Sequence, residues 1–419
     1  MPTIAVLGTF DTKGAEHAFI AKLIRQNGHT PLLINAGCLQ PPTIQADIDF
    51  ETLAAAGGSD WQTVLAQKDR GTSVAFMGRA AANLLLDLAA RGQIHGIISL
   101  GGGGGTAIAT AAMRALPIGF PKMMVSTLAS GNTAAYVGTA DIVMVPAIVD
   151  VAGINRVSRA IFENAAGAIC GMVRAADLRR QNPATDKPLV VASMFGNTTA
   201  GVTEAKRIVE AAGYEVLVFH ATGTGGRAME ALIASRMVAG VLDITTTEWA
   251  DELVGGILSA GSERLDAAAK ARVPAIVAPG CLDMVNFGER ATVPAKFASR
   301  NFYQHNPQVT LMRTTPAECA ELGRILADKV NRYTAPVTVL LPLKAISIIS
   351  APGQPFHDPA ADHALFDAIK TTIRPHVRLV EMDCAINDPE FARACAQELL
   401  ANMQVREQTH PGATRHPSG

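Results

Sequence analysis

Short apolar runs alternate along the chain with longer stretches in which apolar residues recur every three or four positions. In the first half, the short runs cover residues 3–7, 30–34, 96–100, 122–125 and 142–145. In the second half, they cover residues 189–192, 215–219, 240–242, 275–278, 308–312, 337–341 and 377–382. Runs rich in Val and Ile favour buried strands, whereas the longer spacing favours helices. The alternation predicts βαβ units and an α/β fold with mainly parallel sheets flanked by helices.

A polar segment divides this pattern into two parts. Residues 179–188 read RRQNPATDKP and follow a long helical pattern over residues 155–178. Prolines and charges in such a stretch favour a linker, so we place a boundary there, with domains at residues 1–180 and 188–403. Each part starts with a strand, a helix, a glycine and a second strand, which leaves an internal duplication open. Residues 406–419 lack a hydrophobic period and are predicted to be disordered.

The composition fits two globular domains and excludes several classes of protein. The chain has 419 residues, of which 48% are hydrophobic and 17% charged. Its net charge is -1, and no block of basic residues provides an electrostatic basis for nucleic-acid binding. No apolar run approaches the roughly 18 residues of a membrane helix, and the apolar start is too short for a signal peptide. The six cysteines form no CxxC pair, so we expect reduced thiols in a cytoplasmic protein.

A run of five glycines is the strongest local signal in the first domain. It separates the strand predicted at residues 97–100 from the helix predicted at residues 107–116, and it consists of Gly101, Gly102, Gly103, Gly104 and Gly105, followed by Thr106. Glycines allow close approach of the backbone, and the N–H groups at a helix start favour an anion, so the run predicts a phosphate site. A purely connective turn is the alternative. No lysine precedes Thr106, so the run is not a P-loop, and no acidic residue supports a dinucleotide fingerprint.

Two other loops of the first domain also follow predicted strands. The first contributes Gly8, Thr9, Asp11 and Lys13, and the second contributes Ser130 and Gly131. Ligands of open α/β sheets gather at the carboxyl ends of strands, so these residues are candidates to face the glycine run. Lys13 is a candidate phosphate contact, and Asp11 is a candidate to hold a hydrated Mg²⁺. The alternative for Asp11 is a helix cap.

The second domain contains a similar glycine-rich turn and several acidic or imidazole side chains. The turn consists of Gly223, Thr224, Gly225, Gly226 and Arg227 and predicts a second site for a phosphate or carboxylate. The candidates for acid–base or metal chemistry are His220, Asp243, Glu248, Asp283 and His305. A cap or a buried hydrogen bond is the alternative for each of them. No HExxH or GxSxG motif is present, so the reaction type stays open.

Several of these loops are similar to those of a known family. The segments GTFDTKGAE, SLGGGGGT, HATGTGGRAME and PGCLDMVNFG resemble the ATP-binding family typified by the inhibitory domain of the tomato mosaic virus resistance protein. The similarity extends from residue 3 to about residue 403. It implies two Rossmann-like domains, a homodimer and ATP binding, but no known reaction. Some relatives continue into a C-terminal barrel domain, so a separate barrel-domain protein is a candidate partner.

Three hypotheses about function follow. The first is an ATP-binding enzyme or ATP-regulated protein with a small anionic ligand between its domains. The second is a metal-assisted enzyme that acts on a small molecule without ATP. The third is an interaction or inhibitor protein without catalysis, which the resemblance to the plant inhibitory domain suggests. Fold-level analogy does not decide among them.

Overall fold

The computed structural model describes residues 1–37, 40–58, 60–66, 69–182 and 186–409. The chain forms two compact units, unit 1 at residues 1–185 and unit 2 at residues 186–419. The division lies within the polar segment at residues 179–188. The last helix reaches Thr409, so the start of the tail that we predicted to be disordered is helical. Cys38 and the rest of that tail lie outside the described residues.

Unit 1 contains five strands and seven helices among its described residues. The strands are β1 (Thr3–Gly8), β2 (Thr30–Asn35), β3 (Gly96–Gly101), β4 (Lys122–Ser126) and β5 (Val143–Pro146). The helices are α1 (Phe10–Gln26), α2 (Phe50–Ala55), α3 (Trp61–Ala66), α4 (Arg70–Ala90), α5 (Gly103–Ala115), α6 (Ala134–Val137) and α7 (Arg156–Gln181). All five predicted strands of this half are confirmed.

The sheet of unit 1 is parallel throughout, with strand order β2-β1-β3-β4-β5. Successive side chains of a strand point to opposite faces, and both faces are apolar here. Ile4 and Val6 pack against α1 and α7, whereas Ala5 and Leu7 pack against α2, α4 and α5. The sheet is therefore the middle layer of three, as the continuous apolar runs predicted.

Helix α4 has the length and composition of a membrane-spanning helix, and it is the one such helix among the described residues. Phe76, Met77, Ala80 and Leu85 on this helix belong to the apolar core that covers one face of the sheet. A core helix of a globular domain satisfies the same criterion. This packing accounts for the apolar residues on the buried side of the helix.

Unit 2 contains nine strands and seven α-helices among its described residues. The strands are β6 (Leu189–Met194), β7 (Glu215–His220), β8 (Val238–Thr245), β9 (Ala275–Gly280), β10 (Met284–Phe287), β11 (Phe302–Asn306), β12 (Val309–Arg313), β13 (Val337–Pro342) and β14 (Arg378–Met382). The helices are α8 (Thr199–Ala211), α9 (Thr224–Ala234), α10 (Glu248–Val254), α11 (Ala267–Ala271), α12 (Pro316–Val330), α13 (Pro359–Thr372) and α14 (Pro389–Thr409).

Six of these strands form a parallel sheet with order β14-β13-β9-β8-β6-β7. Val190 and Ala192 face the core beside α8 and α14. Val191 faces the opposite core, which α9, α10, α12 and α13 cover. Both units are thus three-layer α/β structures, and the predicted fold class is confirmed.

A second, antiparallel sheet in unit 2 corrects one part of the sequence prediction. Residues 308–312 were expected in the alternating parallel pattern, but β12 pairs with β10 and β11 in a three-stranded antiparallel sheet. Strand β11 was missed because its residues, FYQHN, are half-buried or exposed and carry no apolar run. His305 consequently lies within an exposed strand and not in a loop at a strand end.

Candidate functional site

The carboxyl ends of β1 and β3 form the point of unit 1 at which the chain changes face. The two strands are neighbours, with Leu7 paired to Ser99. Helix α1 leaves β1 toward one face of the sheet, and α5 leaves β3 toward the other. Loops that diverge in this way leave a crevice, which is where open α/β sheets bind their ligands. The two loops chosen from sequence therefore lie side by side.

The glycine run is a tight turn and the start of a helix. Gly101 is the last residue of β3, and α5 begins at Gly103, four residues earlier than the sequence pattern predicted. A Cβ atom on Gly101 would lie 3.2 Å from Cα of Gly105, so the helix folds back closely on the strand end. A Cβ atom on Gly103 would meet no atom within 4 Å, so the outer side of the first turn is open.

The first turn of α5 has the features of an anion site. No side chain caps this 13-residue helix, and the partial positive charge of its N–H groups favours a negative ligand. Arg70 Nη2 lies 3.9 Å from the position that a Cβ atom on Gly104 would take. Thr127 Oγ1 lies 3.7 Å from the equivalent position on Gly102. A guanidinium group and a hydroxyl group thus flank the open backbone, and the sequence did not single out Arg70.

The remaining hydroxyl residues near this turn divide into buried and exposed groups. Thr106 is fully buried, and its Oγ1 lies 2.7 Å from Ser126 Oγ at the end of β4. This hydrogen bond joins the helix to the strand and directs Thr106 away from the open turn. Ser130 and Gly131, by contrast, are exposed in the turn that follows β4. Of these three predicted contacts, only the last two face solvent.

The loop after β1 is held in place by its own side chains. Lys13 Nζ donates to the carbonyl oxygen of Val151, and the carboxylate of Glu16 accepts from the amide of Gly153. His17 is fully buried, and burial lowers its pKa. A Cβ atom on Gly8 would lie 2.0 Å from His17 Nε2, so Gly8 provides the space for this imidazole. These contacts give Gly8 and Lys13 structural roles that the sequence prediction did not include.

The glycine turn of unit 2 already contains an anion, which is a carboxylate of the same chain. Glu248 Oε1 accepts hydrogen bonds from the amides of Gly223 at 2.7 Å and Gly226 at 3.0 Å. A Cβ atom on Gly226 would lie 2.1 Å from Glu248 Oε2. The N–H groups that predicted a second phosphate site therefore bind Glu248. This prediction is corrected: the turn holds an internal carboxylate.

Arg264 organises the acidic residues beneath that turn. Its guanidinium donates to Asp243 at 2.5 and 2.6 Å, to Glu248 at 2.7 Å and to Glu230 at 3.1 Å. Burial by itself would lower the pKa of Arg264, but Asp243 and the two glutamates raise it well above its usual range. Asp243 and Glu248 were predicted to perform acid–base chemistry. In the structure both are partners of Arg264 in a buried ion cluster, which fixes their geometry.

The three other residues of the predicted catalytic set lie in different environments. His220 is exposed at the end of β7, and its ring is 5.4 Å from that of Phe195. Asp283 is fully buried and accepts a hydrogen bond from Ser347 Oγ at 2.7 Å, and burial raises its pKa to about 6. His305 is exposed on β11. Among the described residues, no hydrogen bond or ion pair joins these three side chains to one another.

Comparison with known proteins identifies the family. Residues 2–178 match the N-terminal domain of the uncharacterised protein family UPF0261, and residues 187–403 match its C-terminal domain. This chain belongs to the UPF0261 family. A UPF0261 protein of Clostridium tetani is 49% identical over 96% of this chain and 99% of its own length.

Two further comparisons set limits on what this UPF0261 chain shares with other proteins. The ToMV susceptible protein tm-1(GCR26) of Solanum lycopersicum is 38% identical over 95% of this chain but only 55% of the tomato protein. This chain therefore spans about half the length of that relative. A solved UDP-N-acetylglucosamine 2-epimerase from Rickettsia bellii covers 98% of this chain at 9% identity, with a TM-score of 0.21. A TM-score this low supports no conclusion about a shared fold or function.

One group of side chains in this UPF0261 chain has the spacing of metal ligands. Ligand atoms of Cys384, Asp388 and Glu390 all lie within 4.8 Å of one another. Burial raises the pKa of the Cys384 thiol to about 11, which opposes formation of the thiolate that binds metals. Asp388 Oδ2 accepts from the amide of Ala385 at 2.8 Å and so stabilises a turn. This group shares no residue with the predicted metal-assisted site.

We expect Gly225→Ala to destabilise this UPF0261 protein by at least about 2 kcal/mol, because the new methyl group has no space. A Cβ atom there would lie 1.8 Å from the carbonyl oxygen of His220, which cannot move without disturbing the end of β7. The matched control is Gly167→Ala in the exposed face of α7, where a Cβ atom meets nothing within 4 Å. That variant should be stabilised by up to about 1 kcal/mol. Equal urea midpoints for the two variants would contradict the turn geometry.

Proposed function

We propose that this protein binds a nucleotide in unit 1, with the phosphate groups of ATP held at the turn between β3 and α5. The observation that carries the proposal is the position of this open glycine turn at the point where the chain changes face. Backbone N–H groups at the start of α5 would bind phosphate oxygens, and glycine at residues 102–104 lets the ligand approach. Arg70 supplies a nearby positive charge, and Thr127 supplies a hydroxyl group.

The contrast between the two units supports this choice of site. In unit 2 the corresponding type of turn binds the carboxylate of Glu248, so an external phosphate has no free N–H groups to meet at Gly223 and Gly226. In unit 1 the first turn of α5 has no side-chain cap. The sequence predicted an anion site at two glycine turns. Of these two, the turn in unit 1 is the one whose N–H groups are open to an external anion. This favours a nucleotide at Gly102–Gly104.

This proposal includes Mg²⁺ bound together with the nucleotide. Asp11, the predicted ligand of Mg²⁺, is poorly placed to hold the ion. Asp11 is 7% exposed, and its Oδ1 lies 2.5 Å from the position that a Cβ atom on Gly37 would take. A carboxylate packed so closely against backbone has little room for a hydrated ion. Mg²⁺ commonly keeps several waters and binds through phosphate oxygens, so the nucleotide itself would supply most of its ligands. We assign no reaction to this site.

Thermal unfolding of the full chain with ATP or ADP, each with and without Mg²⁺, tests the proposal. A nucleotide at 100 times its Kd stabilises a protein by about 2.7 kcal/mol. We expect ATP to stabilise the protein and Gly103→Asp to abolish the effect, because the new carboxylate would repel phosphate from an otherwise open position. Gly167→Asp is the matched control, since that glycine is also helical and open. This control should retain the full response to ATP.

Two results would overturn the proposal in different ways. No stabilisation by either nucleotide, with or without Mg²⁺, would exclude ATP binding at ordinary affinities. Stabilisation that survives Gly103→Asp would place the nucleotide elsewhere in the chain. The melting temperature of each variant without nucleotide shows whether it folds.

A further inference from the structure

A cavity of about 630 Å³ lies in unit 2 between α9 and α11. Half of the residues in its wall are small, such as Ala231, Ala260 and Ala267, and the other half are charged. The volume falls within the roughly 300–1,000 Å³ that small-molecule sites occupy. Every residue that lines the cavity belongs to unit 2, so the cavity shares no residue with the nucleotide turn proposed for unit 1.

The acidic side chains of this cavity already have positive or N–H partners. Glu230 accepts from the amides of Leu265 at 2.7 Å and Ala267 at 2.8 Å, in addition to its ion pair with Arg264. Asp266 pairs with Lys329 at 2.8 Å. Glu263 lies 3.5 Å from Lys270. The wall therefore contains no carboxylate that requires a cation from a ligand.

Two arginines of the cavity, in contrast, have no carboxylate partner among the described residues. Arg227 donates to the carbonyl oxygen of Ser259 at 2.8 Å and to Thr224 Oγ1 at 3.3 Å, and both of these partners are neutral. Arg236 also lines the cavity, and both arginines are exposed. Within the part of the chain that the structure describes, no carboxylate forms an ion pair with either side chain. Since guanidinium groups stay charged at all physiological pH values, the cavity carries two uncompensated positive charges.

The two charges lie toward opposite ends of α9. Arg227 is in the first turn of the helix, and Arg236 follows its last residue, Ala234. The seven helical steps from Arg227 to Ala234 span about 10 Å along the helix axis. Along α9, the wall between the two arginines consists of Glu230, which already has its own partners, and of Ala231 and Ala234. The cavity is therefore complementary to an elongated molecule with charged ends and a compact middle.

We infer that this cavity binds a small organic molecule with an anionic group, phosphate or carboxylate, at each end. Each guanidinium can donate two parallel hydrogen bonds to such a group, and small side chains between them leave room for the body of the ligand. The requirement for two anionic ends distinguishes this site from a general affinity for anions. The ion cluster around Arg264 forms the buried side of the cavity and keeps its geometry fixed.

Calorimetric titration of the full chain with two matched pairs of probes tests this inference. Fructose 1,6-bisphosphate is compared with fructose 6-phosphate, and suberate with octanoate. In each pair the first molecule has two anionic ends and the second has one. We expect a two-ended probe to bind at least about tenfold more tightly than its partner. A preference confined to the sugar pair identifies phosphate as the group recognised, and one confined to the acids identifies carboxylate.

Substitutions then locate the binding. Arg227→Gln and Arg236→Gln should each abolish the preference for two-ended probes, while Arg236→Lys should keep part of it. Arg272→Gln is the matched control, because Arg272 is also exposed and has a φ of 56°, close to the 62° of Arg236, but does not line the cavity. Gly103→Asp should not change binding of these probes. The inference is overturned if no probe binds, if both members of each pair bind equally, or if Arg272→Gln acts like Arg236→Gln.

Discussion

Replacing Arg264 with methionine should lower the free energy of unfolding by about 3 to 5 kcal/mol at neutral pH. Arg264 is 1% exposed and is the shared cation of Asp243, Glu248 and Glu230. Methionine has a similar length but no charge, so the variant would leave buried carboxylates without their counter-charge. Breaking a buried pair from one side is costly, because the remaining charge has neither its partner nor water. Urea unfolding, followed by circular dichroism, measures the loss.

A second substitution separates lost charge from lost packing in this cluster. Glu248→Gln combined with Arg264→Met removes one of the uncompensated charges, while the glutamine oxygen still accepts from the amides of Gly223 and Gly226. The double variant should therefore be more stable than Arg264→Met alone. The effect of Glu248→Gln in the Arg264→Met background, compared with its effect in the native protein, gives the coupling between the two side chains. Arg207→Met is the control, since it breaks an exposed pair with Glu204 and should shift the midpoint little. If Arg264→Met shifts the urea midpoint no more than Arg207→Met does, the buried cluster does not stabilise the fold.

The ion cluster illustrates what the sequence could not provide. Asp243 and Glu248 follow a predicted strand, and that position favours function at the carboxyl edge of a parallel sheet. Their partner, Arg264, lies in an irregular segment with no apolar period, so no pattern links it to them. The pairing is a long-range property of the fold. Only the structure distinguishes acidic residues that are held by an internal cation from those that face a ligand.

Residue pattern was more informative where local chemistry determines the structure. Apolar runs defined the strands of both parallel sheets, because strands buried on both faces must be apolar throughout. The glycine run marked a strand-to-helix turn, since its close contact between Gly101 and Gly105 leaves little room for a side chain on Gly101. The antiparallel strands β10 and β11 were missed because they are short and, for β11, largely exposed. Arg70 was missed for a different reason. It starts α4, which is distant in sequence from the turn that Arg70 approaches.

Replacing Asp251 with asparagine should flatten the dependence of stability on pH between about pH 4 and pH 7. Burial raises the pKa of Asp251 from 3.8 to about 7. Between these two values the unfolded chain is ionised while the folded chain keeps its proton, so stability falls as pH rises. At 1.36 kcal/mol for each pKa unit, the native protein should lose about 4 kcal/mol from this group across the window. Asparagine cannot ionise, so its variant should not show this loss.

The matched control is Asn286→Ala, which alters the same hydrogen bond but keeps the carboxyl group. Asn286 Nδ2 donates to Asp251 Oδ2 at 2.7 Å, and this bond lowers the pKa of Asp251 against the effect of burial. Its loss should therefore preserve the fall in stability and extend it to higher pH. Urea midpoints measured at pH 4.5 and pH 7.5 are sufficient, because the difference between the two variants should change by roughly 3 kcal/mol or more. Parallel profiles for Asp251→Asn and the native protein would show that Asp251 is ionised in the folded chain throughout, and that its amide donors outweigh its burial.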